Sequence, residues 1–148
     1  SNSVVHLPNN VIVVKSYNEL TFSYDDDVND QYEIQIDEIV NLPNGKIIEK
    51  VDETNDTSNY AIKLNSKEVT LPLYVRNRRD GDKIKLKGLN AYKKVSEIFI
   101  NEKIKTSDRN SWPVVLDSKE EIVWLPGLKK SNLDKKNTEE YDIILRYY

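Results

Sequence analysis

Three arginines and three lysines lie within fourteen residues of the sequence, in VRNRRDGDKIKLKG, residues 75–88. A guanidinium presents a planar fork of N–H donors that matches two phosphate oxygens, and lysine adds a compact positive charge. The Asp80-Gly81 pair in the middle favours a turn, because glycine readily adopts a positive φ. The stretch therefore predicts a cationic turn suited to a polyanion.

Positive charge is concentrated in this part of the chain. Residues 1–75 carry 5 Lys and Arg against 13 Asp and Glu, residues 76–109 carry 11 against 5, and residues 110–148 carry 6 against 7. A basic segment in a chain of net charge -3 is typical of a nucleic-acid site. The alternative is a solvated face whose lysines only maintain solubility, but clustered arginines favour the polyanion.

Few residues in the sequence are suited to catalysis. The single histidine, His6, lies near the start of the sequence, where the chain is expected to fray, so neither a histidine-based triad nor a His metal cluster is expected. Asp25, Asp26 and Asp27 lack the spacing and the distal Glu of a calcium loop, so a solvated turn is expected there. The four glycines are isolated, so there is no Gly-rich phosphate loop. This chain alone is therefore predicted to be inactive and to bind no metal.

The composition indicates one globular domain. A chain of 148 residues with 38% hydrophobic and 32% charged residues is long enough to bury a core. No apolar stretch approaches the ~20 residues of a membrane span, and the lack of cysteine suits a reducing cytoplasm. Because the sequence has no methionine, we expect Ser1 to be an artificial start and the chain to be a fragment.

The elements that must position the cationic turn are mostly strands. Residues 31–40 alternate apolar and polar side chains, and Asn44-Gly45 predicts a hairpin that folds residues 46–51 back on that strand. Further strands are predicted at residues 9–14, 19–24, 60–64, 71–76, 83–86, 114–117, 122–125 and 141–147.

Two helical segments interrupt the strands. The apolar residues of AYKKVSEIFINEKI recur at intervals of three and four, which predicts an amphipathic helix over residues 92–101 with Phe99 toward the core. A shorter helical turn is expected over residues 107–112, with Thr106 or Ser107 as its N-cap. The fold class is therefore α+β, with a sheet layer or sandwich and helices inserted between strands.

Five motifs follow one another along the chain: VRNRRDGDKI, KKVSEIFINEKI, Arg109, WPVVLD and IVWLPG. Together, and in this order, they resemble the C-terminal domain of the bacterial tRNA(Ile)-lysidine synthetases. Residues 71–127 form the motif-bearing core of the match. Residues 4–70 fit as a strand-rich lead-in, and residues 128–148 form a tail with the final strand.

The resemblance implies a fold and a domain organisation. The family's C-terminal domain is similar to a domain of the phenylalanyl-tRNA synthetase beta subunit, a layered β/β/α arrangement of mostly antiparallel, sandwich-like sheets with one or two short helices. Residues 1–148 are then a single substrate-binding domain, and the N-terminal catalytic domain, with its Ser-Gly-Gly-x-Asp-Ser loop, is absent. Lys105 stands where the family frequently has proline and Val95 where leucine is common, which affects local geometry alone.

The resemblance also implies an activity for the longer protein. The family ligates lysine to C2 of the wobble cytidine of an isoleucine tRNA with a CAU anticodon, through an adenylated base, and so changes decoding from AUG to AUA. ATP and Mg²⁺ serve the N-terminal domain, so no cofactor is expected in this chain. The C-terminal domain helps to bind the acceptor stem of the tRNA. The resemblance also implies a cytoplasmic protein, and it leaves open whether the protein forms a homodimer.

Duplex RNA is bound mainly through phosphates, 2′-hydroxyls and minor-groove edges, so the basic residues are the expected contacts. Asp80 and Gly81 are assigned to the turn, and Asp82 is expected either to orient an arginine or to cap the turn. Trp112 and Trp124 are suited to stacking on bases, but their apolar neighbours favour core packing. The predicted tRNA contacts are Arg76, Arg78, Arg79, Lys83, Lys93, Lys94 and Arg109.

A protein-binding or assembly β-sandwich with no catalytic role is the alternative to a tRNA-binding module. In that case the basic residues are incidental. The salt dependence of tRNA binding distinguishes the two, because neutralised phosphates release counterions and give a steep slope.

Overall fold

The computed structural model describes the backbone of residues 2–7, 11–16 and 19–24 and all of residues 31–148. They form two compact units, Ser1–Gln31 and Tyr32–Tyr148. In the first unit, an antiparallel sheet contains the strands β1 (Asn2–Leu7), β2 (Val11–Ser16) and β3 (Glu19–Tyr24). Strands β2 and β3 match predicted strands, and β1 is additional. The acidic turn expected at residues 25–27 lies outside the described residues.

The second unit contains two sheets and two short helices. Its strands are β4 (Glu33–Ile36), β5 (Ile39–Asn41), β6 (Ile47–Lys50), β7 (Ala61–Leu64), β8 (Leu73–Asn77), β9 (Lys83–Lys85), β10 (Tyr92–Lys94), β11 (Pro113–Leu116), β12 (Ile122–Leu125), β13 (Lys129–Lys130) and β14 (Ile143–Tyr147). The helices are α1 (Val95–Asn101) and α2 (Thr106–Arg109). One sheet has the order β10-β9-β12-β11-β8-β4 with β13 on β12, and the other has the order β5-β6-β14-β7. Within these sheets the β9–β12 pair is parallel and the other pairs are antiparallel.

The seven-stranded sheet has a hydrophobic core on each face. On one face, Val75 and Val115 join a buried cluster with Ile48 of the four-stranded sheet. On the other face, Val114 joins a second cluster with Phe99 of α1. Neighbouring strand residues point to opposite faces, so Val114 and Val115 enter different cores. The result is the predicted α+β fold, with two mostly antiparallel sheets and a helical layer.

A β-bulge shapes the centre of the core. Trp124 pairs with Val115 and Ile122 pairs with the next residue of β11, so Val123 is an extra residue. The bulge brings both Val123 and Trp124 into the core between the sheets. Trp124 is fully buried, and its indole N–H donates to the carbonyl of Asn59 at 2.9 Å. The core-packing interpretation of Trp124 is confirmed.

The predicted strand over residues 31–40 is divided in two. A bend at Asp37 and Glu38 separates β4 from β5, and the two strands join different sheets. The hairpin that follows is confirmed, since β6 pairs antiparallel with β5. Gly45 has a φ of +84°, and Asn44 Oδ1 accepts the backbone N–H two residues later at 2.9 Å.

Both helices differ in detail from the prediction. The helix expected over residues 92–101 begins at Val95, because the three residues before it extend as β10 and pair with β9. The second helix is capped by Lys105 without a side-chain hydrogen bond. Thr106 and Ser107 lie inside that helix, so the predicted cap is wrong. Among the described residues, no helix is long and apolar enough to cross a membrane.

Phe99 provides a test of the helical layer. It is fully buried, and its ring centre lies 6.2 Å from that of Trp112. We expect Phe99→Ala to lower the free energy of unfolding by about 3–5 kcal/mol, because it removes a large buried side chain and leaves a cavity. Ile100 is the matched control on the same helix, since it is 61% exposed. In urea denaturation, equal losses for Phe99→Ala and Ile100→Ala would contradict the assigned buried face.

Candidate nucleic-acid interface

Arg76 and Asp82 form a buried ion pair at the end of β8. Nη1 of Arg76 lies 2.9 Å from Oδ2 of Asp82, and Nη2 lies 3.0 Å from Oδ1, a bidentate arrangement. The two side chains are only 7% and 10% exposed. Nη1 also donates to the backbone carbonyl of Asn77 at 3.1 Å. The guanidinium of Arg76 thus joins the two ends of the loop over residues 77–82, while its predicted tRNA contact stays a prediction.

The loop between β8 and β9 closes as a tight turn. The N–H of Asp82 donates to the carbonyl of Arg79 at 3.2 Å, and the N–H of Arg79 donates to Oδ2 of Asp82 at 2.8 Å. Gly81 has a φ of +86°, which L side chains rarely adopt. A Cβ at this position would meet nothing within 4 Å, so the backbone conformation alone favours glycine. The Asp82 carboxylate therefore serves both the buried arginine and the turn.

Arg78 is half-buried and lies against the helical layer. Its Nη2 donates to Oδ1 of Asn110 at 3.2 Å, and its guanidinium carbon lies 5.7 Å from the centre of the Phe99 ring. The Nε atom of Arg78 is buried and has no hydrogen-bond partner among the described residues. An unsatisfied donor on a charged group is costly.

Arg79 and Lys94 are the exposed cations of the site. Nη2 of Arg79 lies 3.8 Å from Oε1 of Glu33, and both side chains are about half exposed, at 41% and 50%. Such a long, solvated pair holds the arginine only weakly. Lys94 directly precedes α1, whose first N–H donates to the carbonyl of Asp82 at 2.9 Å. A cavity of about 190 Å³ is lined by Arg78, Arg79, Asp80, Gly81, Asp82, Lys94 and Ser96.

The β9–β10 hairpin places further lysines beside the turn. Lys83 and Lys94 lie directly opposite one another on the paired strands, and Lys93, which is half-buried, pairs with Ile84. The Lys83 ammonium lies 4.8 Å from the centre of the Tyr92 ring. A hydrogen bond to the Glu121 carboxylate raises the pKa of the Tyr92 hydroxyl, which therefore stays a neutral donor. Like charges on opposed residues repel, and a bound anion would relieve the repulsion.

Arg109 lies on α2 and does not line the cavity. It is half-buried, and its Nε donates to the carbonyl of Ile104 at 2.8 Å. The structure therefore brings Arg78, Arg79 and Lys94 together at one cavity. It places Lys83 and Lys93 on the adjacent hairpin, Arg76 inside the domain and Arg109 on the second helix.

Asn77 is a supporting residue that the sequence analysis did not identify. It is buried, its Oδ1 accepts the N–H of Tyr32 at 3.1 Å, and its Nδ2 donates to the carbonyl of Asn110 at 3.0 Å. The Tyr32 hydroxyl donates to the carbonyl of Ser111, and burial raises the pKa of this tyrosine. An asparagine at the end of a strand between two arginines is the signal available in the sequence.

Trp112 packs beside the site rather than opening onto the cavity. It is half-buried, and its indole N–H donates to the carbonyl of Pro126 at 3.1 Å. Its ring contacts the buried cluster beneath α1. In the part of the chain that the structure describes, no group of three or more His, Cys, Asp or Glu residues is arranged to hold a metal ion.

The contribution of the buried ion pair to stability can be tested by replacing Asp82 and, as a control, Asp80. We expect Asp82→Ala to lower the free energy of unfolding by about 3–5 kcal/mol, because Arg76 is left buried without its partner. Asp80→Ala removes the same charge from an exposed position of the same turn, and should change stability by about 0.5 kcal/mol or less.

Adding Arg76→Met to the Asp82→Ala variant removes the unpaired charge and should restore part of the lost stability. Urea denaturation of the wild type, the two single variants and the double variant measures both effects. Small and equal losses for the two single variants would show that the pair does not hold the loop.

Comparison with known proteins places this site in a family. The sequence model of one protein family, described as the TilS substrate C-terminal domain, matches residues 73–145. The tRNA(Ile)-lysidine synthase of Bacillus subtilis (strain 168) is 38% identical over 156 residues, which cover 99% of this chain and 33% of that protein. The bifunctional protein TilS/HprT of Listeria innocua is 34% identical over 158 residues, covering 99% of this chain and 24% of that protein.

A solved structure supports the same assignment. A crystal structure of a TilS C-terminal domain is 37% identical, with a TM-score of 0.72, and the match covers 79% of this chain and 95% of that chain. This chain spans about a third of the length of the tRNA(Ile)-lysidine synthases that it matches. Because a TilS C-terminal domain of known structure is 37% identical and is covered over 95% of its length, the chain belongs to the family of TilS substrate C-terminal domains.

Proposed function

We propose that this domain binds the tRNA substrate of a tRNA(Ile)-lysidine synthase through the cationic turn and the residue that precedes α1. The convergence of Arg78, Arg79 and Lys94 on one cavity carries the proposal. Two carboxylates also line it, but Asp82 is already paired with Arg76. Asp80 is then the one lining carboxylate that faces the three cations without that neutralisation, so an anion is attracted to the cavity.

The chemistry of these cations fits the backbone of duplex RNA. A phosphate in the cavity would accept hydrogen bonds from the Arg78 guanidinium that lines it, and the weakly held Arg79 is free to pivot toward a second phosphate. The opposed Lys83 and Lys94 extend the positive surface along the β9–β10 hairpin. Because an RNA helix is bound mainly through its phosphates and 2′-hydroxyls, the acceptor stem is the part of the tRNA that we assign to this surface.

We assign the chemical steps to the remainder of the longer protein, because this chain spans about a third of its relatives. In this proposal an N-terminal domain binds ATP and Mg²⁺ and joins lysine to the wobble cytidine of a CAU-anticodon isoleucine tRNA in the cytoplasm. The present domain orients that tRNA. Its contribution is expected as tighter substrate binding rather than as stabilisation of the transition state, and the chain alone should form no lysidine.

The proposal predicts a charge-specific loss of tRNA binding. We expect Arg79→Ala and Lys94→Ala each to weaken binding and to flatten the log–log salt slope by about 0.7–0.9, the value for one phosphate contact. Lys67→Ala is the matched control, because Lys67 is 79% exposed and its partner Glu140 lies outside the cavity lining. Filter-binding titrations of the isoleucine tRNA at several salt concentrations measure these slopes.

Two other outcomes have distinct meanings. If Arg79 binds a base edge, its slope should change little and discrimination between isoleucine and methionine tRNAs should fall by about 1–3 kcal/mol, by analogy with DNA readout. If Arg79→Ala and Lys94→Ala bind both tRNAs as the Lys67→Ala control does, the proposal fails. A protein-binding or assembly module is then the better assignment.

A further inference from the structure

Lys63 is a buried lysine that lies outside the cationic turn. It belongs to β7, where Ile62 and Leu64 enter the core between the two sheets and Lys63 points to the opposite face. Only 5% of Lys63 is exposed. Lysine is almost never buried to this extent unless its ammonium group is paired. The partners of this ammonium group therefore indicate whether a ligand is needed.

The Lys63 ammonium has neutral partners. It donates to Oδ1 of Asn137 and lies 5.5 Å from the centre of the Tyr141 ring. Within residues 31–148, no carboxylate forms an ion pair with it. An amide oxygen and an aromatic face offset only part of the cost of removing a charge from water.

The buried carboxylate of Asp134 is used by other groups. Its Oδ1 accepts the backbone N–H of Lys63 at 3.1 Å. Its Oδ2 lies 2.5 Å from Nζ of Lys87 and 3.3 Å from Nζ of Lys130. The negative charge of Asp134 is thus shared by two other ammonium groups and does not neutralise Lys63.

A cavity of about 250 Å³ opens beside Lys63. Four lysines and two aspartates are among the residues that line it, which leaves two net positive charges. Lys135 is paired with Glu68 at 2.6 Å, whereas Lys136 is exposed and forms no ion pair among the described residues. Lys63 and Lys136 are thus the two lysines of the lining that form no ion pair among the described residues.

We propose that this cavity binds a phosphate group, with Lys63 as the buried counter-charge and Lys136 as the exposed one. A water molecule occupies about 30 Å³ in the liquid, so the cavity has room for a polyatomic anion. Phosphate oxygens accept several hydrogen bonds and carry the negative charge that would pair with the Lys63 ammonium group. The Lys63 side chain is held in place by Asn137 before the anion arrives, which lowers the entropic cost of binding.

The phosphate has two sources that share this chemistry, the backbone of a bound RNA and a small free phosphate. The cavity shares no lining residue with the one beside the cationic turn. The inference therefore does not rest on the proposed tRNA contact of that turn, and each can fail while the other holds.

The first arm of the test uses inorganic phosphate and the 148-residue chain. Phosphate replaces chloride at constant ionic strength, and amide NMR shifts and the melting temperature are followed. We expect the amide signals of Lys63 and Asn137 to shift and the melting temperature to rise. Lys63→Met should reduce phosphate affinity about tenfold or more, which is about 1.4 kcal/mol, because it removes the buried charge and keeps the side-chain length. Lys136→Ala should reduce it less.

The second arm repeats the tRNA titrations at several salt concentrations. If the phosphate belongs to RNA, Lys63→Met should flatten the salt slope by about 0.7–0.9, whereas Lys67→Ala should not. A response to inorganic phosphate without this change assigns the site to a free phosphate.

Equal phosphate responses in the wild type, Lys63→Met and Lys136→Ala, together with an unchanged salt slope, would overturn the proposal. A rise in melting temperature common to all variants is the general effect of an excluded salt. If Lys63→Met does not fold, Lys136→Ala and the shifts of the wild-type Asn137 amide decide the outcome.

Discussion

The buried ion pair between Arg76 and Asp82 fixes the geometry on which the candidate interface depends. Burying two charges costs nearly as much as their attraction gains, so the pair contributes more to the position of the loop than to net stability. Asp82 also accepts the N–H of Arg79 through its side chain and the first N–H of α1 through its carbonyl. Asp82 therefore fixes the conformation of the turn, the position of the buried Arg76 and the position of the helix start next to Lys94.

The seven-stranded sheet explains why one arginine of the motif is buried while its neighbours are not. Both faces of the sheet are covered, by the four-stranded sheet and by the helical layer. Arg76 lies within β8 and is enclosed, whereas Arg78 and Arg79 follow the end of that strand. Asn77 stands at the boundary and ties the strand to the segment after α2. The charged loop thus follows a strand that is covered on both faces.

Short-range signals in the sequence predicted the parts of the fold that depend on neighbours along the chain. The Asn44-Gly45 hairpin, the central strands and the buried side of α1 are of this kind. The predicted start of α1 was wrong because Lys94 pairs with Lys83 across a hairpin, and this strand pairing overrides the helical pattern of the apolar residues. Spacing alone could not separate the enclosed Arg76 from the half-buried Arg78 and the exposed Arg79. Nor could it reveal that Lys63 is covered, because residues that enclose it lie more than seventy positions later.

If duplex RNA phosphates contact the cationic turn, as we propose, NMR of the 148-residue chain with a minihelix of the isoleucine tRNA acceptor stem should detect the contact. The Nε–H signal of Arg78 and the amide signal of Gly81 should shift at substoichiometric RNA. Raising the salt concentration should reverse these shifts, because released counterions drive the binding. If both signals stay fixed while signals elsewhere in the domain shift, RNA binds at another surface and the cationic turn is not the tRNA site.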